Sequence, residues 1–210
     1  KKFGVLIYEG DGPTECSPVT CVNPVGGKRK PGSIGLPLPG VEMRIINEEG
    51  KQSGIGEIGE IVVRGENVMK GYLNQPEETR MSFFEDWFRT GDLGYQDKDG
   101  YFYIVDRKKD LIIVNGMNVY PKMVEDVLIQ HPAVEEVAVV RHPHPLHGEV
   151  PAAFIVLKQE KTVSKKDLID FCRQYLARYE VPRILQFVSE LPKTPTGKVD
   201  KNKLVKMARL

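Results

Sequence analysis

The chain has 210 residues, 40% of them hydrophobic and 28% charged, the composition of an ordinary globular protein of one or two domains. Thirty Lys and Arg stand against 29 Asp and Glu, and the net charge of +1 gives no electrostatic case for nucleic acid or an anionic membrane as the main partner. No apolar run approaches the roughly 18 residues of a membrane span and no signal-peptide pattern opens the chain, so a soluble, cytoplasmic protein is expected. Cys16, Cys21 and Cys172 fit neither a zinc site nor a disulfide framework and are expected to be reduced thiols.

Residues 3–8 read as a buried strand entered in mid-domain with no start methionine, which predicts a truncated chain. The strand runs into Gly10-Asp11-Gly12-Pro13-Thr14-Glu15, a turn rich in glycine and proline. Residues 23–40 are loop. Strands are predicted at 41–46, 57–64 and 101–105, and their shortness and spacing suggest a small barrel or sandwich. After Asp106-Arg107-Lys108-Lys109-Asp110 the pattern changes. A strand at 111–114 precedes a helix opened by Pro121 with Val124, Val127 and Leu128 on one face. Strands follow at 134–141 and 152–157, then a helix capped by Ser164 with Leu168, Ile169, Cys172 and Leu176 inward, and a strand at 184–188. The run from Pro192 to Lys201 breaks the periodicity and reads as an exposed loop. Two domains are therefore expected, 1–107 and 108–210, the second large enough to hold its own core.

Several segments carry chemistry. The turn at residues 10–15 would present backbone N–H groups, a hydroxyl and a carboxylate together, a set suited to phosphate and magnesium and equally to capping a helix. In Thr90-Gly91-Asp92 the aspartate could accept hydrogen bonds from a ribose diol or simply form a turn. Lys198, in Thr194-Pro195-Thr196-Gly197-Lys198, could reach phosphate or carboxylate oxygens as a mobile point charge or lie solvated among neighbouring lysines. His144 and His147 read as surface loop residues, since neither a carboxylate partner nor metal spacing accompanies them.

In combination these blocks decide more. In order, Gly10 to Glu15, Thr90-Gly91-Asp92, Tyr101 through Asp110 to Pro121, and Pro192 to Asp200 resemble the acyl-CoA synthetase branch of the adenylate-forming superfamily, which also holds peptide-synthetase adenylation domains and beetle luciferases. The resemblance spans essentially the whole chain. It implies an α+β fold: the end of a large AMP-binding domain with a small β-barrel-like part, followed by a compact α+β lid.

The activity implied is activation of a carboxylic acid by ATP as its acyl-adenylate, then transfer to coenzyme A, with a fatty or aryl acid favoured by the Gly116 to Pro121 segment. Gly10, Asp11, Gly12, Thr14, Asp92 and Arg107 match nucleotide-binding positions, Thr14 at phosphate and Asp92 and Arg107 at the ribose. Glu15 matches the magnesium ligand, Lys198 the lysine of the adenylation step, Lys109 the interdomain hinge, and Gly116 with Asn118 the coenzyme A channel. At position 11 the family usually carries an aromatic that stacks on adenine, whereas this chain has Asp11. The family's Ser/Thr/Gly-rich phosphate loop and acyl-pocket walls would precede Lys1, so the chain alone is expected to be inactive. A carrier-protein-loading adenylation domain and a noncatalytic nucleotide-binding fragment remain alternatives. The partners implied are the small-molecule substrates, with a homo-oligomer left open.

Overall fold

The computed structural model describes residues 4–208. The chain falls into two compact units that divide between Lys108 and Lys109.

In the first unit, β1 (Gly10–Asp11), β2 (Cys21–Val22) and β3 (Leu36–Pro37) form a small antiparallel sheet in that order. A second, five-stranded antiparallel sheet contains β4 (Val41–Ile46), β5 (Gly59–Gly65), β6 (Phe83–Phe84), β7 (Trp87–Gln96) and β8 (Phe102–Arg107), with a short helix α1 (Pro76–Met81) before β6. The β5 run of Ile61, Val62 and Val63 is apolar throughout because both its faces are covered. Ile61 and Val63 join Met43, Ile45, Phe88 and Phe102 in one core cluster, and Val62 joins Ile46 and Trp87 in another. The strands at 41–46 and near 57–64 and 101–105 are present, with shifted ends for the last two.

Two expectations fail here. The sheet does not close into a barrel: β6 and β8 pair with successive stretches of the same edge of β7, Phe88 with Phe83 and Leu93 with Asp106. The sheet is thus effectively four strands wide, too narrow to curl back onto β4. Nor does a buried strand run through residues 4–8. Val5, Leu6 and Ile7 are 70%, 61% and 76% exposed, and no strand is formed there. Phe3, where that strand was expected to begin, lies outside the described residues.

The second unit is built on β9 (Ile112–Val114), β10 (Met117–Val119), β11 (Val134–His144), β12 (Gly148–Leu157) and β13 (Ile184–Phe187), with helices α2 (Pro121–Leu128), α3 (Lys165–Cys172) and α4 (Lys201–Met207). β11 and β12 form a long antiparallel hairpin, and β13 lies parallel to β12 on its other edge. β12 is central. Alternate side chains face opposite ways: Ala153 and Ile155 meet Val124 and Leu128 of α2 and Leu168 and Cys172 of α3, while Ala152 and Phe154 meet Leu204 of α4. Each fully buried Ile or Phe there contributes about 1.5–3 kcal/mol of transfer free energy.

The helix ends follow from local chemistry. Pro121 occupies the first turn of α2, where its missing N–H costs nothing. Ser164 Oγ accepts from Asp167 N at 3.1 Å at the start of α3, and Asp200 Oδ1 accepts from Lys203 N at 3.0 Å at the start of α4. α3 ends at Cys172, earlier than expected, and Leu176 packs on the same core from the turn beyond it.

Candidate active site

In the first unit the chain leaves β1 at Asp11 and turns through Gly12 and Pro13 into one 3-10 turn, Thr14–Cys16. Gly12 is required there, since a Cβ would stand 1.7 Å from the Pro18 carbonyl oxygen. Three bonds tie the turn to the segment after β5. Asn67 Nδ2 donates to Cys16 O at 2.8 Å, Met69 N to Glu15 O at 2.7 Å, and Tyr72 Oη to Glu15 Oε1 at 2.9 Å. Burial, then the hydrogen bond and charge of Glu15, raise the Tyr72 pKa, so this phenol stays a donor and fixes the carboxylate.

Thr14 is exposed, and Glu15 Oε2 has no protein donor among the described residues. One oriented carboxylate beside a hydroxyl fits a magnesium ion that draws its other ligands from phosphates and water. A cage made wholly of protein does not fit, for no cluster of three His, Cys, Asp or Glu suited to a metal occurs among the described residues.

Asp92 and Arg107 are brought together by strand register. They face each other across β7 and β8, and Arg107 Nε stands 3.0 Å from Asp92 Oδ1. The carboxylate is nearly buried and the guanidinium half-exposed, with side-chain exposures of 8% and 55%. Thr90 holds the turn before Asp92: its hydroxyl donates to Ile61 O at 2.8 Å and accepts from Asp92 N at 3.0 Å, while Gly91 takes φ 74°. Arg107 is also close enough to act on Asp11. Burial pushes the Asp11 carboxyl above its usual pKa, against the opposing pull of the Gly12 N–H and the Arg107 charge. Asp11, Asp92 and Arg107 therefore form one polar group on this unit.

In the second unit, Asn115 and Gly116 form the two-residue turn between β9 and β10, with φ of 51° and 80°. Two successive positive φ values define a type I′ turn, for which Asn-Gly is the favoured pair. Gly116 and Asn118 are both exposed. Asn115 is braced from the next hairpin: its N–H donates to His147 O at 3.0 Å, and its Oδ1 lies 2.9 Å from His147 Nδ1. Lys198 is exposed in a tight loop in which Thr194 N donates to Lys198 O at 2.7 Å and Gly197 takes φ 81°. That loop is anchored at its base by the Lys193–Glu136 ion pair, 2.7 Å.

Two family models match the chain: the AMP-binding enzyme model over residues 1–73 and the AMP-binding enzyme C-terminal domain model over residues 123–198. The chain belongs to the AMP-binding, adenylate-forming enzyme family. It is 46% identical over 206 residues to a long-chain-fatty-acid–CoA ligase of Bacillus subtilis, covering 98% of this chain and 37% of that protein. In structure it is similar to ATP-bound MatB from Rhodopseudomonas palustris (TM-score 0.92, 39% identity, 97% of this chain and 41% of that one). It is likewise similar to the anthranilate CoA ligase AuaEII in complex with anthranoyl-AMP (TM-score 0.87, 40% identity, 98% and 40%). The chain thus spans well under half the length of the relatives it matches.

Within this AMP-binding chain, sequence reasoning missed several residues that shape the site. Nothing in the sequence reading pointed to Tyr72 as the group that orients Glu15, and Thr90 stands there only as part of the Thr90-Gly91-Asp92 block, without its role in orienting Asp92. The two histidines read as loop residues form a stacked pair, 4.7 Å between centroids, at the β11–β12 turn, and His147 supports the Gly116 hairpin. Burial, then the charges of Arg183 and His144, lower the His147 pKa and favour the neutral ring. The three cysteines are free and buried, with thiol pKa values pushed up to about 12 for Cys16 and about 11 for Cys21 and Cys172, chiefly by burial. They are packing residues rather than nucleophiles. Among the described residues no helix is long and apolar enough to cross a membrane.

Proposed function

We propose that this chain is part of an ATP-dependent, AMP-forming carboxylic acid:CoA ligase that acts in the cytoplasm on a fatty or aryl acid. The observation that carries this reading is 46% identity to a long-chain-fatty-acid–CoA ligase over 206 of the 210 residues. The geometry agrees with the roles it implies. Asp92, oriented by Thr90 and balanced by Arg107, offers an acceptor beside a donor, the pair needed by a ribose diol. Thr14 and the N–H groups around Gly10 and Gly12 would bind the α-phosphate.

In the first step the substrate carboxylate attacks the α-phosphorus and pyrophosphate leaves. Negative charge spreads over the phosphoryl oxygens, and cations placed in advance lower that barrier. Lys198 brings its ammonium to those oxygens and aligns the carboxylate. Glu15, held by Tyr72, would bind magnesium, which when present supplies charge neutralisation at the phosphates. In the second step the unit after Lys108 turns about Lys109, withdraws Lys198 and presents Gly116 and Asn118 to the pantetheine of coenzyme A.

The complete protein should form acyl-CoA and AMP from ATP, coenzyme A and fatty or aryl acids. The 210-residue chain alone should give no turnover, because none of its segments matches the family's Ser/Thr/Gly-rich phosphate loop. Turnover by the purified chain, or a complete protein that exchanges pyrophosphate yet transfers acyl groups only to a carrier protein, would overturn this reading.

A further inference from the structure

Glu60 is 5% exposed on β5, yet its single oxygen Oε2 serves two cations. Arg89 reaches it through Nε at 3.1 Å and also through Nη2, and Lys108 reaches it through Nζ at 2.9 Å. One guanidinium fork already neutralises and hydrogen-bonds a buried carboxylate, as burial demands. Lys108 is therefore surplus to charge balance, and its contact needs another explanation. Burial pushes the Glu60 carboxyl up in pKa, but the hydrogen bonds and charges of Arg89 and Lys108 outweigh it and leave Glu60 lowered, so the carboxylate is ionised at neutral pH.

The placement supplies that explanation. Glu60, Leu93 and Asp106 lie in one row across β5, β7 and β8, and Lys108 follows Asp106 by two residues. Arg107, between them, is fastened to Asp92. Two consecutive residues are thus each tied to a nearly buried carboxylate of the first unit. The next residue, Lys109, is exposed and makes no ion pair among the described residues, and the division between the units falls on that bond.

We propose that Glu60 is a positioning residue that pins Lys108, so that backbone rotation between the two units begins at Lys109 and nowhere before it. The inference rests on the ligase reading and on the hinge role of Lys109. A pivot with a fixed origin delivers the second unit to reproducible end points. A pivot free to begin one or two residues earlier delivers it off register in both, and misplacement on the order of 1 Å costs up to about 100-fold in rate.

The test uses the complete enzyme carrying Lys108→Met, which leaves Glu60 paired with Arg89 and so keeps the buried charge balanced. Adenylation is followed by pyrophosphate exchange and thioester formation from supplied acyl-adenylate. Expected is a fall in kcat of about 10-fold or more in both half-reactions, with KM for ATP and the melting temperature unchanged and with recovery in Lys108→Arg. Unchanged rates in both steps overturn the clamp, as does a raised KM for ATP at constant kcat, which would place Lys108 in nucleotide binding. Lys109→Pro, run in parallel, separates the two levels of the argument. If it blocks only thioester formation while Lys108→Met is silent, the hinge stands and the clamp falls. If it leaves both steps intact, the hinge reading fails and takes the clamp with it.

Discussion

Lys198 illustrates what one side chain can be asked to do. Its loop is shaped by Gly197 and closed by the Thr194 to Lys198 backbone bond, and the lysine it carries is exposed. In the complete enzyme Lys198→Ala should slow adenylate formation by about 100-fold or more, the scale of removing one preorganised charge-stabilising group. Thioester formation from supplied adenylate should remain nearly intact. Equal losses in both steps would assign Lys198 to folding or general substrate binding. Asp11 permits a different test at the same scale. Its pKa is raised in the fold, so folding prefers the neutral acid. Below the unfolded value of about 3.9 both states are protonated and nothing is lost; as pH rises from there through the folded value the unfolded chain ionises first and stability falls, and above the folded value the loss is complete and constant. Asp11→Asn in this chain should therefore raise the melting temperature at pH 7 and have no effect near pH 3. A destabilised variant at pH 7 would show that attraction to Arg107 outweighs burial.

Elements explain why these residues arrive where they do. The Asn115-Gly116 turn reverses the chain in two residues, and its neighbours β9 and β10 pair only because both turn residues accept positive φ. A Cβ at Gly116 would meet nothing within 4 Å, so replacement there carries a backbone cost and no packing cost. Gly116→Val should destabilise the second unit by about 1–2 kcal/mol, the penalty for a β-branched residue in the left-handed region. Urea unfolding of residues 109–210 would read this directly, and an unchanged midpoint would mean the hairpin adapts to another turn. The Asn-Gly pair between two apolar runs is a strong hairpin signal, but sequence reading took residues 111–114 as a strand and passed over β10. The strand is only three residues long, with one buried side chain, so its periodicity is too short to register.

For the whole molecule, the consequential feature is that each unit closes its own cores. Val124, Leu128, Leu168 and Phe154 are fully or almost fully buried within the second unit, and Val62, Val63 and Phe102 within the first. A polypeptide of residues 109–210 should therefore fold alone with a cooperative urea transition. Broad, non-cooperative unfolding would show that its stability depends on the preceding residues.

The sequence by itself determined what depends on near neighbours. The apolar alternation of β4, the caps at Ser164 and Asp200, Pro121 at a helix start and the ordered motifs from Gly10 to Asp200 are all written within a few residues of chain, where periodicity and turn chemistry act. The tertiary structure decided what depends on partners far along it. Asp92 meets Arg107 only through a register that a bulge at Leu93 and Gly94 adjusts, and β6 and β8 share one edge instead of closing a barrel. Val5 to Ile7 stay exposed despite a strand-like pattern, and Glu60, an unremarked acid at the head of an apolar strand, gathers Arg89 and Lys108. Pairing and burial are settled by competition among distant segments for the same surface, and a local pattern fixes which face is apolar without fixing what will cover it.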